Sequence, residues 1–458
     1  MINGFFYFIH LNMKTLKLLL PSVLLLIIGS CSNITPNNQK TTFNHDILSE
    51  CNLAIQNAVV LDGVTPPVAS RRYFYSCVSA YEAIKPFFGD LNSVSGQFTD
   101  FETLSNCDTS KGYCLDLVAM ESYTQTAMKL VYKEDSIASF RERKLDFYKS
   151  QLPEDVYNRS IEWGQTVSNH VVKWSKGDTF NQIRGTDLYM ANESEAFWQP
   201  TPTEYMEAIE PQWRKIRPNL IESCNQFRDT LPVPTPYNMG KNPDFYPLMK
   251  EIHDAVVNID SNQLRIARYW DDNPKSTFHY GHATLKVLKV SPAGHWLSMF
   301  STVARKEQYS LKESAEGMLR LSAVMFDAFI AVWDAKYHYE YIRPVTVIRR
   351  HMDSSWLPAI ETPAFPEYPS AHSVVSSAAA TVLTDLFGEY SFTDSAEFEF
   401  GLGVRTFKNF REASDEACMS RIYGGIHFRE GMEYGKYLGN TIGAYHNDKL
   451  ITRQSEKD

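Results

Sequence analysis

The 458-residue sequence lacks several features that define protein classes on their own. It has no basic excess, since 45 Lys and Arg against 54 Asp and Glu give a net charge of −9, and we exclude nucleic acid as a partner. It has no CxxC pair and no Cys/His cluster with zinc-site spacing. After the first thirty residues, no run is long and apolar enough to cross a bilayer. Alternating strand patterns are scarce, so helices should dominate.

The N-terminal segment reads as an export signal. Two lysines precede an apolar run from Leu18 to Ile28, and small residues stand just before Cys31. This order resembles a bacterial lipobox, in which the cysteine becomes the lipidated N-terminus. We therefore expect a signal peptide at 1–30, a polar linker at 31–44 and a lipid anchor on Cys31 as the one membrane attachment. The expected location is the bacterial cell envelope, at the outer membrane facing the periplasm.

Six cysteines remain after the signal: Cys51, Cys77, Cys107, Cys114, Cys224 and Cys418. In an oxidising compartment an even number allows disulfides, and one bridge between Cys107 and Cys114 could close a short polar loop. Buried free thiols are the alternative. The oligomeric state is left open by the sequence.

Helical periodicity recurs along most of the remaining chain. Apolar residues follow helical spacing in the segments 53–60, 68–88, 115–132, 156–174, 248–257, 311–341, 373–387 and 431–445. The Trp- and Pro-rich segment 197–218 should be a long loop over a helical core. The sequence predicts an all-α protein with one large domain. Residues 45–240 would form its N-terminal helical part, and residues 241–458 the catalytic bundle.

The first of three polar motifs lies at the end of a long apolar segment. Lys336 and Arg343 are seven residues apart, which on a helix places both cations on one face. Pro344 disfavours helical geometry at Arg343 and predicts that the helix ends there. Alone, such a pair more often belongs to a solvated face or offsets the helix dipole.

The second motif is FPEYPSAHSVVSSAAATVL. Ser370 precedes an Ala- and Val-rich helix, as an N-cap does, and the free backbone N–H groups at such a helix start suit an anion. His372 falls in the first turn, where it can donate to that anion or act as an acid or base. Plain capping with a packed histidine is the alternative for this motif.

The third motif is MSRIYGGIHFREGMEYG. Arg421 and His427 are six residues apart, and Gly424 and Gly425 between them permit a turn that brings both side chains to one pocket. The three motifs together supply two Arg, one Lys, one Ser and two His. Such a donor set is typical of a site for a strongly charged oxyanion.

The order and spacing of these motifs resemble a known superfamily, that of the vanadium haloperoxidases and type 2 phosphatidic acid phosphatases. The match covers roughly residues 260 to 445 and rests on three motifs. In the first, six residues separate Lys336 from the pair Arg343 and Pro344; the second is the run Pro369, Ser370, Ala371 and His372. In the third, five residues separate the pair Ser420 and Arg421 from His427. The resemblance implies an all-α helical bundle of the haloperoxidase and acid phosphatase type. The spacing from Trp333 to His427 is most similar to that of the bacterial iodoperoxidases.

The resemblance also implies roles for these residues. His427 would be the axial vanadium ligand, and the vanadate oxygens would be held by Lys336, Arg343, Ser370, Ala371 and Arg421. His372, with Lys336, would act on hydrogen peroxide. Trp333 and Phe365 match the halide side of the pocket, and Asp271 is the expected partner of Arg421. The implied reaction oxidises a halide, iodide before others, with hydrogen peroxide to hypohalous acid, in a site that phosphate can also occupy.

Two departures from the family pattern bear on the alternatives. Ala371 stands where the family has Gly, which removes access to positive φ but keeps the backbone N–H. Gly431 stands where the family has Asp, with Glu430 one position earlier, which weakens a mechanism that needs this acid to orient a nucleophilic His427. An acid phosphatase with a histidine nucleophile is therefore the second reading. A lipoprotein that only binds the anion is the third, and it has no need of His372.

Overall fold

A long central helix organises the fold. The structure is a computed structural model that describes residues 40–186, 189–240, 244–273, 277–280, 283–286 and 288–454. This helix, α10, spans Leu311–Tyr339 and starts at a capping box formed by Ser310 and Glu313. Every side chain from Leu321 to Tyr337 is buried. A helix that is buried on all faces must be surrounded by other elements, and α10 forms the axis on which the rest of the fold packs.

Helices dominate the described part of the chain, which confirms the all-α prediction. They are α1 Ile47–Asp62, α2 Pro66–Ile84, α3 Leu115–Met128, α4 Asp135–Gln151, α5 Glu154–Ser175, α6 Phe180–Ile183, α7 Phe245–Val257, α8 Ser261–Tyr269, α9 Pro292–Lys306, α10, α11 Pro344–His351, α12 Ala371–Phe387, α13 Phe410–Tyr423 and α14 Arg429–Lys449. The described residues belong to one compact unit. A division of function at residues 240 and 241 stays a prediction.

The described residues also contain three short two-stranded sheets. The strands β1 Lys40–Thr41 and β2 Tyr113–Cys114 pair in parallel, whereas β3 Thr277–Tyr280 pairs with β4 Ala283–Lys286 and β5 Phe392–Asp394 pairs with β6 Arg405–Phe407 in antiparallel fashion. Asp394 closes β5, opposite Arg405. This hairpin places a carboxylate against the helical core near the site described below.

Two groups of helices flank α10. On one side, α2 packs on α10 and also contacts α3 and α5. The rings of Phe74 and Phe326 stack 4.7 Å apart at the α2 contact. On the other side, α12 contacts α10, α13 and α14. Helix α10 is therefore packed between an N-terminal and a C-terminal group of helices.

Glycines spaced four residues apart allow α12 and α14 to pack closely. Gly431, Gly435, Gly439 and Gly443 form one face of α14. A Cβ at Gly435 would lie 2.8 Å from the Ser370 carbonyl oxygen, and a Cβ at Gly439 would overlap the Val374 carbonyl. Because the two backbones touch, the start of α12 is fixed against the start of α14. The second and third motifs meet at this contact.

The Trp- and Pro-rich segment forms the predicted long loop, whereas the described cysteines do not form the predicted bridge. Residues 197–218 form no helix longer than one 3-10 turn, and Trp198 and Trp213 anchor this loop in the interior. All six described cysteines are free thiols, so the bridge between Cys107 and Cys114 is not formed. Within the described ranges, no helix has both the length and the hydropathy needed to cross a membrane. The predicted signal peptide and Cys31 lie outside the described residues.

Candidate active site

The first motif is brought together by a turn and not by one helix face. Helix α10 ends at Tyr339, Glu340 adopts a left-handed conformation (φ 46°), and Arg343 is the extended N-cap of α11. The prediction that Lys336 and Arg343 share a helix face is therefore wrong, although Pro344 does keep Arg343 out of the helical region. The two cations meet because both bind the same loop segment, 365–367. Lys336 Nζ donates to the carbonyls of Pro366 and Glu367, each at 2.9 Å, and Arg343 Nε donates to Phe365 O at 2.9 Å.

The second motif forms the expected helix start. Ser370 is the N-cap of α12 and its hydroxyl accepts from the backbone N–H of Ser373 at 3.3 Å. Ala371 and His372 are the first two helical residues, so their N–H groups have no acceptor within the helix. The side chain of His372 is 15% exposed, and its Nε2 has no hydrogen-bond partner. The start of α12 therefore places two free backbone N–H donors next to a histidine that can act as a base.

The third motif turns as predicted. Helix α13 ends at Tyr423, and Gly425 takes a φ of +77°, which only glycine adopts freely. The turn delivers His427 to Arg343, whose Nη1 lies 3.2 Å from His427 Nε2. Arg421 is 1% exposed and donates to the carbonyl of Trp270 at 2.6 Å. Arg343, Arg421 and His427 thus surround one buried point.

A carboxylate missed by the sequence reasoning orients His427. Glu367, which is fully buried, accepts from His427 Nδ1 at 2.7 Å and from the Phe428 N–H at 2.9 Å. This bond fixes the proton on Nδ1 and leaves the Nε2 lone pair facing the cations. A Cβ at Gly431 would overlap Glu367 Oε1, so the carboxylate fills the space that a side chain at 431 would take. The loss of the family's Asp at this position is compensated from another segment.

Asp271, the expected partner of Arg421, acts on it through charge and not through a direct hydrogen bond. Asp271 forms its ion pair with Lys289, and Arg421 donates to the backbone carbonyl of Trp270. Burial lowers the pKa of Arg421, and Asp271 is the carboxylate that most opposes this shift. The carboxylate that faces the candidate base is Asp272, the next residue, whose Oδ2 is 3.9 Å from His372 Nε2. The adjacent acids of the YWDD segment were the available signal. Sequence alone does not say which of two neighbours points inward.

Two aromatic rings form the apolar wall of the cavity. Trp333 and Phe365 lie 5.1 Å apart between ring centres, 1% and 7% exposed, and line the cavity together with Ile209, Phe329 and His372. Lys336 Nζ is 4.9 Å from the centre of the Phe365 ring and the Arg343 guanidinium is 5.0 Å from it. Lys336 and Arg343 are both fully buried, and the Phe365 ring beside them helps to exclude water from their charges.

The electrostatics of the site favour a bound anion. Burial and then Arg343 lower the pKa of Lys336 well below its usual value, and burial followed by Arg343, Lys336 and Arg421 does the same to the pKa of His427. Burial lowers the pKa of Arg343 to about 10. The Nη2 atom of Arg343 is buried without a partner, which is costly unless a ligand accepts from it.

Fold and site together define a helical protein whose buried polar centre combines a histidine with three cations, an arrangement suited to an oxyanion. A family model described as the VCPO second helical-bundle domain matches residues 317–454. The structure of the first bacterial vanadium-dependent iodoperoxidase is similar, with a TM-score of 0.85 and 34% identity over 92% of this chain and 100% of that one. This degree of likeness extends well beyond the motif region.

More distant structures share the fold. A holo-type bacterial vanadium-dependent chloroperoxidase has a TM-score of 0.65 at 15% identity, covering 90% of this chain and 98% of that one, and the apo-type enzyme has 0.62 at 14%, covering 85% and 95%. No curated protein matches the chain. The chain belongs to the vanadium-dependent haloperoxidase family. The individual roles of its site residues stay predictions.

Proposed function

We propose that this haloperoxidase is vanadate-dependent and oxidises iodide with hydrogen peroxide to hypoiodous acid. The observation that carries the proposal is the buried Nη2 of Arg343, which has no hydrogen-bond partner, on a guanidinium whose Nη1 lies 3.2 Å from His427 Nε2. The first N–H groups of α12, which have no acceptor within the helix, add further donors. These groups fit a tetrahedral oxyanion, which would accept hydrogen bonds from all of them. The 34% identity to an iodoperoxidase supports the choice of halide.

The chain's own residues would divide the work. His427 would direct Nε2 at the bound anion, with Glu367 holding its Nδ1–H. Arg343, Arg421 and Lys336 would balance the negative charge, and when bound, vanadate supplies a Lewis-acid centre that activates peroxide. His372, whose pKa burial lowers well below its usual value, is neutral at pH 7 and would take a proton from hydrogen peroxide at Nε2. The peroxide is reduced to water as iodide loses two electrons.

The apolar wall would set the halide. Iodide is large and weakly hydrated, so it loses little solvation free energy beside the rings of Trp333 and Phe365. A strongly hydrated anion loses more. Exclusion of water from this side would also protect the reaction from unproductive peroxide decay.

The phosphatase alternative has one specific observation in its favour. The pair of His427 and Glu367 is what a nucleophilic histidine needs, since the carboxylate would stabilise the imidazolium formed on attack at phosphorus. The departure at Gly431 therefore no longer argues against a phosphatase. The same cations would hold the phosphate oxygens.

One experiment separates the two activities. Apoprotein is titrated with orthovanadate, and peroxide-dependent iodide oxidation is compared with hydrolysis of p-nitrophenyl phosphate. Oxidation that requires vanadate supports the haloperoxidase, whereas phosphate release that vanadate inhibits supports the phosphatase. Binding of vanadate with neither activity would favour the pure binder. His446→Gln is a matched control, because His446 is a buried histidine paired with Asp327 away from the cavity.

We also propose that the mature chain is a lipoprotein anchored through Cys31, on the periplasmic face of the outer membrane. The support is the order of lysines, apolar run and small residues before that cysteine. Halide and peroxide would then reach the enzyme in the envelope, where both are small diffusible solutes.

A further inference from the structure

A chain of buried charged groups lies behind His372. Asp272 is 2% exposed; its Oδ2 lies 3.9 Å from His372 Nε2 and its Oδ1 lies 2.9 Å from Nδ1 of His295. His295 is fully buried, and its Nε2 lies 2.7 Å from Oδ2 of Asp394. Asp272 connects His295 to the candidate base His372, and the proposed mechanism assigns no role to either Asp272 or His295.

His295 has no freedom to turn. Its ring stacks on Trp270 with 4.7 Å between centres and 13° between planes. Asp394, on the far side, accepts from the hydroxyl of Tyr269 at 2.7 Å and from the backbone N–H of Ala396 at 3.0 Å. The hairpin β5–β6, helix α9 and the end of helix α8 therefore fix the imidazole from three directions, which fixes the direction of its Nδ1.

The charges around His295 favour a doubly protonated ring. Burial opposes the positive charge, but Asp272 and Asp394 together raise the pKa of His295 well above its usual value. Both N–H groups then donate to carboxylates, and Asp272 is held in one rotamer with Oδ2 towards His372. Other charged groups packed around this chain are Glu397, with Oε1 4.0 Å from His295 Nδ1, and Lys289, Asp271 and Arg421.

We propose that His295 is a positioning residue for the base His372, acting through Asp272. The inference rests on the proposed function, in which His372 accepts the peroxide proton. When His372 takes that proton, it becomes an imidazolium whose Nε2 faces Asp272 Oδ2. A carboxylate held at that distance stabilises the cation, and one that can rotate away does so less. The geometry makes His295 the group that prevents the rotation.

A metal site is the competing interpretation of the same cluster. Ligand atoms of Asp272, His295 and Glu397 lie within 4.8 Å of one another, and both oxygens of Glu397 are buried without a hydrogen-bond partner. Both ring nitrogens of His295, however, are already within hydrogen-bond distance of carboxylates. A metal on Nδ1 would have to replace the hydrogen bond to Asp272. The positioning role uses the observed contacts as they stand.

Two substitutions of His295 separate the two sides of the ring. In Asn the amide reaches the position of Nδ1, so His295→Asn can keep the donor to Asp272. In Gln the amide reaches the position of Nε2, so His295→Gln keeps the donor to Asp394 and loses the one to Asp272. His446→Gln is the control for loss of a buried histidine. Asp272→Asn, which is isosteric, provides a second variant if His295→Gln does not fold.

We expect His295→Gln and Asp272→Asn to lower kcat by roughly 10- to 100-fold, within the contribution of a general base. His295→Asn should lose clearly less, and vanadate affinity measured by calorimetry should stay within about 2-fold of wild type in all variants, because no anion contact changes. In apoprotein labelled with ¹⁵N-histidine, the ring shifts of His372 should move in His295→Gln and not in His446→Gln.

The outcomes that overturn the inference are distinct. Equal kcat for His295→Asn and His295→Gln, or wild-type kcat in Asp272→Asn, would show that His295 only packs. One equivalent of bound metal in wild type that is lost in Glu397→Gln would assign the cluster to a cation instead. If wild-type protein shows no vanadate-dependent oxidation, or His372→Ala keeps wild-type kcat, the proposed function fails and the inference with it. Active wild type, inactive His372→Ala and fully active His295→Gln overturn only the inference.

Discussion

A methyl group at position 431 should disturb vanadate binding without touching the anion. In Gly431→Ala the new Cβ would overlap Oε1 of Glu367 and lie 2.8 Å from Cδ and Oε2. Glu367 is fully buried and cannot swing into solvent. The carboxylate must therefore move away from His427 Nδ1 and from the Phe428 N–H, its two partners.

The expected magnitude follows from those contacts. Overpacking a core position costs about 1–3 kcal/mol, and losing a hydrogen bond to a charged group costs about 1.5–3 kcal/mol. Because the overlap and the broken bond are one event, the two costs do not add, and we expect a loss of roughly 2–3 kcal/mol in unfolding free energy. Release of His427 Nδ1 should weaken vanadate binding by about 10- to 100-fold, as for other groups that orient metal ligands.

The assay is urea unfolding of apoprotein together with calorimetric titration of orthovanadate. Gly89→Ala is the control, because a Cβ there meets nothing within 4 Å and its stability should change by less than about 0.5 kcal/mol. The double variant Glu367→Ala with Gly431→Asp moves the carboxylate to the other segment and should recover part of the lost affinity. If Gly431→Ala binds vanadate as Gly89→Ala does, Glu367 does not orient His427 and the reasoning is refuted.

Four further predictions test the rest of the assignment. His427→Ala should remove vanadate-dependent oxidation but leave the helical circular dichroism intact, since one ligand is lost from a large core; wild-type vanadate stoichiometry would contradict the ligand role. Phe365→His should change the ratio of iodide to bromide turnover at fixed peroxide with little change in vanadate affinity, and an unchanged ratio there and in Trp333→Ala would identify the rings as ordinary core. Burial raises the pKa of Glu367 from 4.5 to about 7, so its contribution to stability is complete below about pH 4.5 and is lost as the pH rises to about 7. The change in unfolding free energy of apoprotein across this range should be at most about 3 kcal/mol, and it should vanish in Glu367→Gln. Cys31→Ala should move the mature protein from the detergent phase to the aqueous phase, and unchanged partitioning would mean that another element anchors the protein to the membrane.

Local patterns in the sequence determined the helical class and the identity of the oxyanion donors. The long apolar run of α10, the Ser370 N-cap and the glycine turn before His427 are each decided by neighbours a few residues away, and the structure has all three. Helices α4, α6, α8, α9, α11 and α13 were not predicted. The starts of α8, α9 and α13 nevertheless carry N-cap residues, Asp260, Ser291 and Asn409, whose side chains accept from backbone N–H groups. The short lengths and mixed polarity of α8 and α13 hide the periodicity.

Only the tertiary structure decided how the donors are oriented. Arg343 meets Lys336 because both donate to backbone carbonyls of the segment 365–367, and the carboxylate nearest His372 comes from Asp272. The carboxylate on His427 comes from Glu367, sixty residues earlier in the chain. Spacing along a sequence predicts contacts within a helix turn or a hairpin, because the backbone there has a fixed repeat. It cannot predict which side chain fills a gap between helices, since that depends on how closely their backbones approach, and here a face of glycines on α14 sets that approach.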